Sequence, residues 1–350
     1  MKSVRRVERA AASDLLTIEQ LKEAWLRSEP IEFGNPIFAT TRFELSETFF
    51  PLGFPTTIET NSEAVLEAAG ESWNGFLRLF DTEPIRMQIG VTEGESSICP
   101  PTPVERMRGH LGTSIADSEN FSVRDLSQPS ATIWVSHAAV QHRDYFRYFF
   151  LESQAMACIA ARRATGIHAA CVSLDGDAIL LCGDSGAGKS TLSYACACAG
   201  WTYVTDDGSF LVHGRNDRLV TGNCNQIRFR PSAETLFPHL HGLAVMQRAG
   251  VGKPSIELPT HPDRTVRTAS AGNVRFMVFL RRGVSREELT AFPRAVARLY
   301  LEQRVHCAPY EPDLHMQGID ALIAAETYEL RYNSLDWAVD RLTRLVREGR

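Results

Sequence analysis

The chain has 350 residues, 44% hydrophobic and 23% charged, with a formal net charge of -5. That length points to one large or two modest domains, and the acidic balance argues against a dedicated nucleic-acid surface. No apolar run approaches the roughly 20 residues of a membrane span; the basic start Met1-Lys2-Ser3-Val4-Arg5-Arg6 lacks the apolar core of a secretory signal, so no membrane partner and a cytoplasmic location are expected.

The eight cysteines fit that compartment. Cys158, Cys171, Cys182, Cys196, Cys198, Cys224 and Cys307 sit in or beside apolar segments, where a free thiol behaves as a small hydrophobe, and Cys99 lies in a loop. Cys196-x-Cys198 has no second pair or Cys/His cluster at zinc spacing, so no structural zinc is expected.

A polar lead is followed by a helix over residues 17–28, with Thr17 and Gln20 as a capping box, Leu21, Trp25 and Leu26 as an apolar stripe, and Pro30 as its stop. Residues 41–45 and 85–89 alternate polar and apolar as half-buried strands do, and residues 62–78 between them read as a helix. Pro100-Pro101-Thr102-Pro103 marks a loop, and residues 132–135 form another strand candidate. Residues 1–140 thus read as a smaller α+β domain for substrate recognition, oligomer contacts or scaffold support. Residues 142–164 read as a long helix with Phe146, Phe149, Phe150, Met156 and Ile159 as core, packing this part onto a second domain, 141–350.

That domain opens with a strand over 168–173, a turn at Asp175-Gly176-Asp177 and the apolar run Ala178-Ile179-Leu180-Leu181-Cys182. A small-residue helix ending at Gly200, a strand over 201–205, a hairpin over 209–221 and an alternating strand over 226–230 follow. Residues 241–270, punctuated by Gly and Pro, read as a mobile loop, long enough to serve as a lid or to be a disordered insertion. Residues 275–280 read as a buried strand. The end reads as helical, with a capping box at Ser285 and Glu288 and helices over 294–304 and 334–347.

The chemistry is carried by Gly183-Asp184-Ser185-Gly186-Ala187-Gly188-Lys189-Ser190-Thr191. Strand, glycine-rich turn and helix with G-x-x-x-x-G-K-[ST] spacing make a phosphate-binding loop: the backbone curls so that several N–H groups share one concavity, and the helix N-terminus adds partial positive charge. Lys189 reaches the β- and γ-phosphates of ATP and Ser190 ligates Mg²⁺. Asp206-Asp207 ends the next strand, where one carboxylate can take the metal and the other a proton from a hydroxyl; a second carboxylate beside the base raises its pKa. A solvated turn is the alternative for this pair. His168 opens a strand that can place it near the phosphates or in a structural role. Arg228 and Arg230 share a strand face and either clamp phosphate or carboxylate groups or face solvent. Lys253 and Arg264 in the 241–270 segment are further cationic candidates.

Gly166-Ile167-His168, the phosphate loop, and Val204-Thr205-Asp206-Asp207 together resemble the catalytic core of bacterial HPr kinase/phosphorylase, firmly over residues 165–215 and loosely to 282. The resemblance implies an α/β fold: a P-loop, HPr kinase-like C-terminal domain whose nucleotide site is similar to that of phosphoenolpyruvate carboxykinases. It implies a kinase that moves the γ-phosphate of ATP to a serine, with Asp207 as proton acceptor, His168 near the transferred phosphate, and Asp206 supporting the metal. Thr191 stands where that family usually has Glu, no downstream segment matches its catalytic arginine (for which Arg228 or Arg230 could substitute), and residues 1–140 differ from its N-terminal domain. The chain rather resembles the broader HPr kinase-related group, some of which phosphorylate ribosomally made peptides such as lasso peptides. A protein or peptide serine is the expected acceptor; a small-molecule alcohol, or nucleotide-gated regulation without transfer, are the alternatives.

Overall fold

In the computed structural model, which describes residues 17–27, 41–94, 96–247, 252–260, 266–304 and 310–349, the apolar run before the glycine loop becomes the strand Asp177–Cys182. Successive side chains on a strand face opposite ways, and both ways are covered here. Ala178, Leu180 and Cys182 join a core with Ala297, Leu301, Ile319 and Leu322. Ile179 and Leu181 join another with Leu192, Cys196, Leu342 and Leu345. The first face is closed by the helices Arg294–Arg304 and Pro312–Ile323, the second by Lys189–Cys198 and Leu335–Glu348. An uninterrupted apolar strand is what such two-sided cover requires, and each fully buried leucine contributes ~1.5–3 kcal/mol. The result is a three-layer α/β arrangement around a ten-stranded mixed sheet.

Strand direction within this sheet positions the site. Asp177–Cys182 pairs antiparallel with Ala170–Leu174 through a turn in which Asp175 and Gly176 have φ of 51° and 94°, the left-handed geometry of a tight hairpin. Thr202–Thr205 pairs antiparallel with the other side of Ala170–Leu174. Asp177–Cys182 and Thr202–Thr205 therefore point the same way, and their C-terminal ends flank the start of Ala170–Leu174. The strands Ala271–Arg282 and Glu326–Tyr332 run parallel to Asp177–Cys182 and bring their own ends to that edge.

The N-terminal part forms a separate seven-stranded mixed sheet. The helix Glu63–Trp73 and a helical stretch from His137 to Arg162 lie against one face of it. Its core contains Ile58, Met87 and Ile133 with Phe146, Phe150 and Ile159, and continues past residue 140 to Ala164. The Thr221 hydroxyl donates to Leu52 O at 3.0 Å and Arg163 Nη2 to Glu83 O at 2.7 Å, tying the two sheets' units together.

Several sequence expectations are corrected. The first strand of the N-terminal sheet is Leu45–Phe49, not 41–45, because it pairs with Thr56–Thr60 in the register Leu45↔Thr60 and Phe49↔Thr56. The capping box of Thr17 and Gln20 is formed, but its helix, Ile18–Leu26, leaves Trp25 75% exposed. The long helix expected over 142–164 is broken by a wide π turn at Arg147–Glu152. The supposed loop at 241–270 holds the strands Val245–Met246, Ser255–Pro259 and Arg267–Thr268; the first two complete a three-stranded sheet with Gln226–Phe229. Ser285 and Glu288 begin no helix: Glu288–Ala291 is a strand antiparallel to Glu326–Tyr332. Pro30, Arg264 and Cys307 lie outside the described residues, and Cys198 is exposed. Among the described residues no helix is long and apolar enough to cross a membrane.

Candidate functional site

The nine residues from Gly183 to Thr191 turn the strand Asp177–Cys182 into the helix Lys189–Cys198. Gly186 and Gly188 adopt φ of 90° and 99°, which side chains disfavour, and Gly188 is the N-cap of the helix. A Cβ at Gly188 would also lie 2.5 Å from the Tyr332 hydroxyl, and one at Gly183 would lie 2.8 Å from Ala187 Cβ. The Ala187 N–H donates back to Asp184 O at 3.1 Å, closing the turn. Asp184, Ser185 and Gly186 are exposed at its tip, and Ala187, Ser190 and Thr191 are half-buried.

Lys189, only 6% exposed, folds across the loop and donates from Nζ to Gly183 O at 2.8 Å and Asp184 O at 3.3 Å. The Tyr300 hydroxyl donates to the same Gly183 O at 3.0 Å and accepts from Gly183 N at 2.9 Å. Tyr332 donates to Ala187 O at 3.2 Å, and Arg282 stacks over its ring with the guanidinium carbon 5.9 Å from the centroid.

The neighbouring carboxylates part company. Asp206 turns inward and is 5% exposed. Its Oδ2 accepts the Arg228 N–H at 3.0 Å, its Oδ1 lies 3.0 Å from the Tyr203 hydroxyl, and the Ser190 side chain hydrogen-bonds to it. The same Tyr203 hydroxyl lies 3.0 Å from Gln226 O. Burial pushes the Asp206 carboxyl up to about 6, with the Asp207 charge adding to the rise and the hydrogen bonds opposing it. Asp207 turns outward, its side chain 61% exposed, and Oδ1 stands 3.1 Å from His168 Nδ1. His168 sits in the bend just before Ala170–Leu174, so the antiparallel pairing on both sides of that strand delivers it between the glycine loop and the two aspartates.

Sequence reasoning thus grouped Lys189, Ser190, Asp206, Asp207 and His168, and the fold brings them to one sheet edge. Of the two aspartates, Asp206 has its carboxyl raised, chiefly by burial and further by the Asp207 charge beside it. Arg228 and Arg230, expected on one strand face, have different surroundings. Arg228 Nε pairs with Glu257 Oε1 at 3.0 Å and Nη2 donates to Ser255 Oγ at 3.2 Å, both within the three-stranded sheet, whereas Arg230 is exposed just beyond the end of Gln226–Phe229. Lys253 reaches the glycine loop, with Nζ 3.4 Å from Ser185 Oγ. Tyr203, Tyr300, Tyr332 and Arg282 carry no local motif, and only strand order and helix packing place them here.

Oxygen donors suit a hard divalent cation. Ser190 and the Asp206 carboxylate, hydrogen-bonded to each other, supply two beside the loop, so this donor set fits Mg²⁺ held with phosphate oxygens. Among the described residues no group of three or more His, Cys, Asp or Glu side chains could hold a metal ion.

No family model matches this chain, and no curated protein matches it. Among solved structures, the Hpr(Ser) kinase/phosphatase from Coxiella burnetii shows a distant similarity, with a TM-score of 0.27 and 14% identity over 53% of this chain and 99% of that one. Similarity of that size does not bear on activity.

Proposed function

We propose that this protein is an ATP- and Mg²⁺-dependent phosphotransferase that phosphorylates a hydroxyl, with a serine of a protein or peptide as acceptor. The observation that carries the reading is Lys189, buried and braced on the Gly183 and Asp184 carbonyls across a glycine turn that caps a helix. An ammonium held on loop carbonyls at the start of a helix is a strong anion site, and the adjacent Ser190 and Asp206 would supply oxygen donors for the metal. Ser190 and Asp206 would hold Mg²⁺ there, and the charge it carries would offset that of the phosphates.

The chain's own residues do the rest. Lys189 and the loop amides hold the phosphate oxygens. Asp207, exposed beside the loop and oriented by His168, takes the proton from the acceptor hydroxyl. That oxygen then forms its bond to the γ-phosphorus as the bond to the β-bridging oxygen breaks, releasing ADP. The openness of Asp207 and His168 supports a chain segment as acceptor, because a peptide serine must approach without enclosure.

The test is the Lys189→Ala protein. It is expected to remain folded, to bind ATP at least tenfold more weakly (one charge-assisted contact being worth ~1.5–3 kcal/mol) and to lose phosphoryl transfer. Calorimetry that found its ATP affinity equal to wild type would refute the phosphate-loop reading.

A further inference from the structure

The Tyr300 hydroxyl bonds both to the N–H and to the C=O of Gly183, at 2.9 and 3.0 Å. These two groups belong to the peptide planes before and after Gly183, so one oxygen fixes both torsions of the residue where strand becomes loop. Gly183 has φ 153° and is buried; without a side chain of its own, it needs an outside partner to hold that geometry. Its carbonyl is also the nearer of the two that brace Lys189 Nζ, at 2.8 Å.

Tyr300 is itself rigidly placed. Its ring meets Phe279 edge-on, with centroids 5.3 Å apart and planes at 86°, and Phe279 stacks on Phe292 at 4.3 Å. Phe279 is the registered partner of Cys182, the residue before Gly183. The helix Arg294–Arg304 that carries Tyr300 is held down by Ala297 and Leu301, both fully buried in the same core as Cys182 and Phe279. The path from helix to hydroxyl to glycine to lysine contains no exposed link until the ammonium reaches the loop.

We infer that Tyr300 is a positioning residue for Lys189: by gripping Gly183 it sets the carbonyl that aims the ammonium at the β- and γ-phosphates. This rests on the phosphotransferase reading and extends it to a helix that no motif marks. Held groups cost little reorganisation when a ligand arrives, which is how fixed hydrogen bonds contribute to affinity.

The experiment compares three nucleotides on Tyr300→Phe, which keeps the ring on Phe279 and removes one oxygen. AMP has no β- or γ-phosphate for Lys189 to reach, so its Kd stays within about twofold of wild type, while those of ADP and ATP rise by about tenfold, the worth of one or two hydrogen bonds. ATP and AMP weakened by the same factor would mean that Tyr300 only supports the fold, and unchanged affinity for all three would mean that it does nothing for the loop; either result overturns the inference. Wild-type protein that binds none of the three removes the phosphotransferase reading and this inference with it, a different outcome from either. Should Tyr300→Phe fail to fold, the wild type labelled with ¹⁵N-glycine decides: the Gly183 amide must exchange slowly with and without ATP, and fast exchange in either state sinks the assignment.

Discussion

His168 Nδ1 and Asp207 Oδ1 stand 3.1 Å apart on the open edge of the ten-stranded sheet. The contact exists because Ala170–Leu174 is sandwiched between two strands of opposite direction to itself, so its first residues face the last residues of both. A carboxylate held by an imidazole on one oxygen keeps the other for a substrate proton.

We predict that Asp207→Asn preserves ATP binding and lowers transfer by about 10²–10⁴, the usual worth of a positioned base. His168→Ala removes only the orienting partner and costs less, on the order of tenfold. Rapid-quench turnover alongside calorimetric ATP titration separates the two effects. Unchanged turnover in Asp207→Asn would leave the proton without an acceptor and exclude this role.

Asp206 predicts a pH signature. Its carboxyl is raised from 3.8 to about 6 by burial, so between those values the folded state holds a proton that the unfolded state has released. Stability must then fall as pH rises through that window and level off above it. The whole change amounts to at most ~3 kcal/mol, because each tenfold change in proton affinity is worth about 1.4 kcal/mol. Asp206→Asn cannot ionise, so in metal-free buffer its urea stability relative to wild type should improve between pH 4.5 and 7. A relative stability independent of pH would show that the carboxyl titrates normally.

The crowding at Gly188 gives a rescue experiment. Gly188→Ala forces a left-handed φ on a side chain and drives its Cβ toward the Tyr332 hydroxyl, costing about 2–4 kcal/mol and most of the ATP affinity. Tyr332→Phe in the same chain removes the obstructing oxygen and should restore about 1 kcal/mol of thermal stability. Because Tyr332→Phe also gives up the bond to Ala187 O, the comparison is with Tyr332→Phe alone, and a Gly188→Ala loss as large there as in the wild type would place the damage in the backbone alone.

Lys253 is exposed, and its contact with Ser185 is long, so its contribution is a screened charge. We predict that Lys253→Ala weakens ATP binding by about two- to fivefold at low salt and not at all in about 0.5 M salt, with no change in Tm. A loss independent of salt would indicate a structural contact.

The glycine loop was legible in the sequence because its positive-φ positions and apolar strand leave local marks. The inward turn of Asp206 and the outward turn of Asp207 were not: the burial that divides them comes from the backbone of Arg228 and the ring of Tyr203. In the same way, the Gly and Pro residues of 241–270 concealed Ser255–Pro259, a strand whose stability lies in pairing with Gln226–Phe229. Ser285 and Glu288 have the spacing of a helix start, yet Glu288 is drawn into a strand by Arg331 opposite it. Tyr332 and Tyr300 are joined to the loop by strand order and helix packing, which no window of sequence contains.

The Tyr203 hydroxyl, with one hydrogen to give, sits 3.0 Å from both Asp206 Oδ1 and Gln226 O. While Asp206 is ionised, that hydrogen belongs on the carboxylate. Once Asp206 is protonated, the carboxyl can donate to the phenol oxygen and the phenol hydrogen rotates onto the Gln226 carbonyl. Both arrangements use the same heavy atoms at the same distances. Asp206 can therefore stand in either protonation state with its Tyr203 and Gln226 partners kept, the only adjustment being the rotation of one O–H bond.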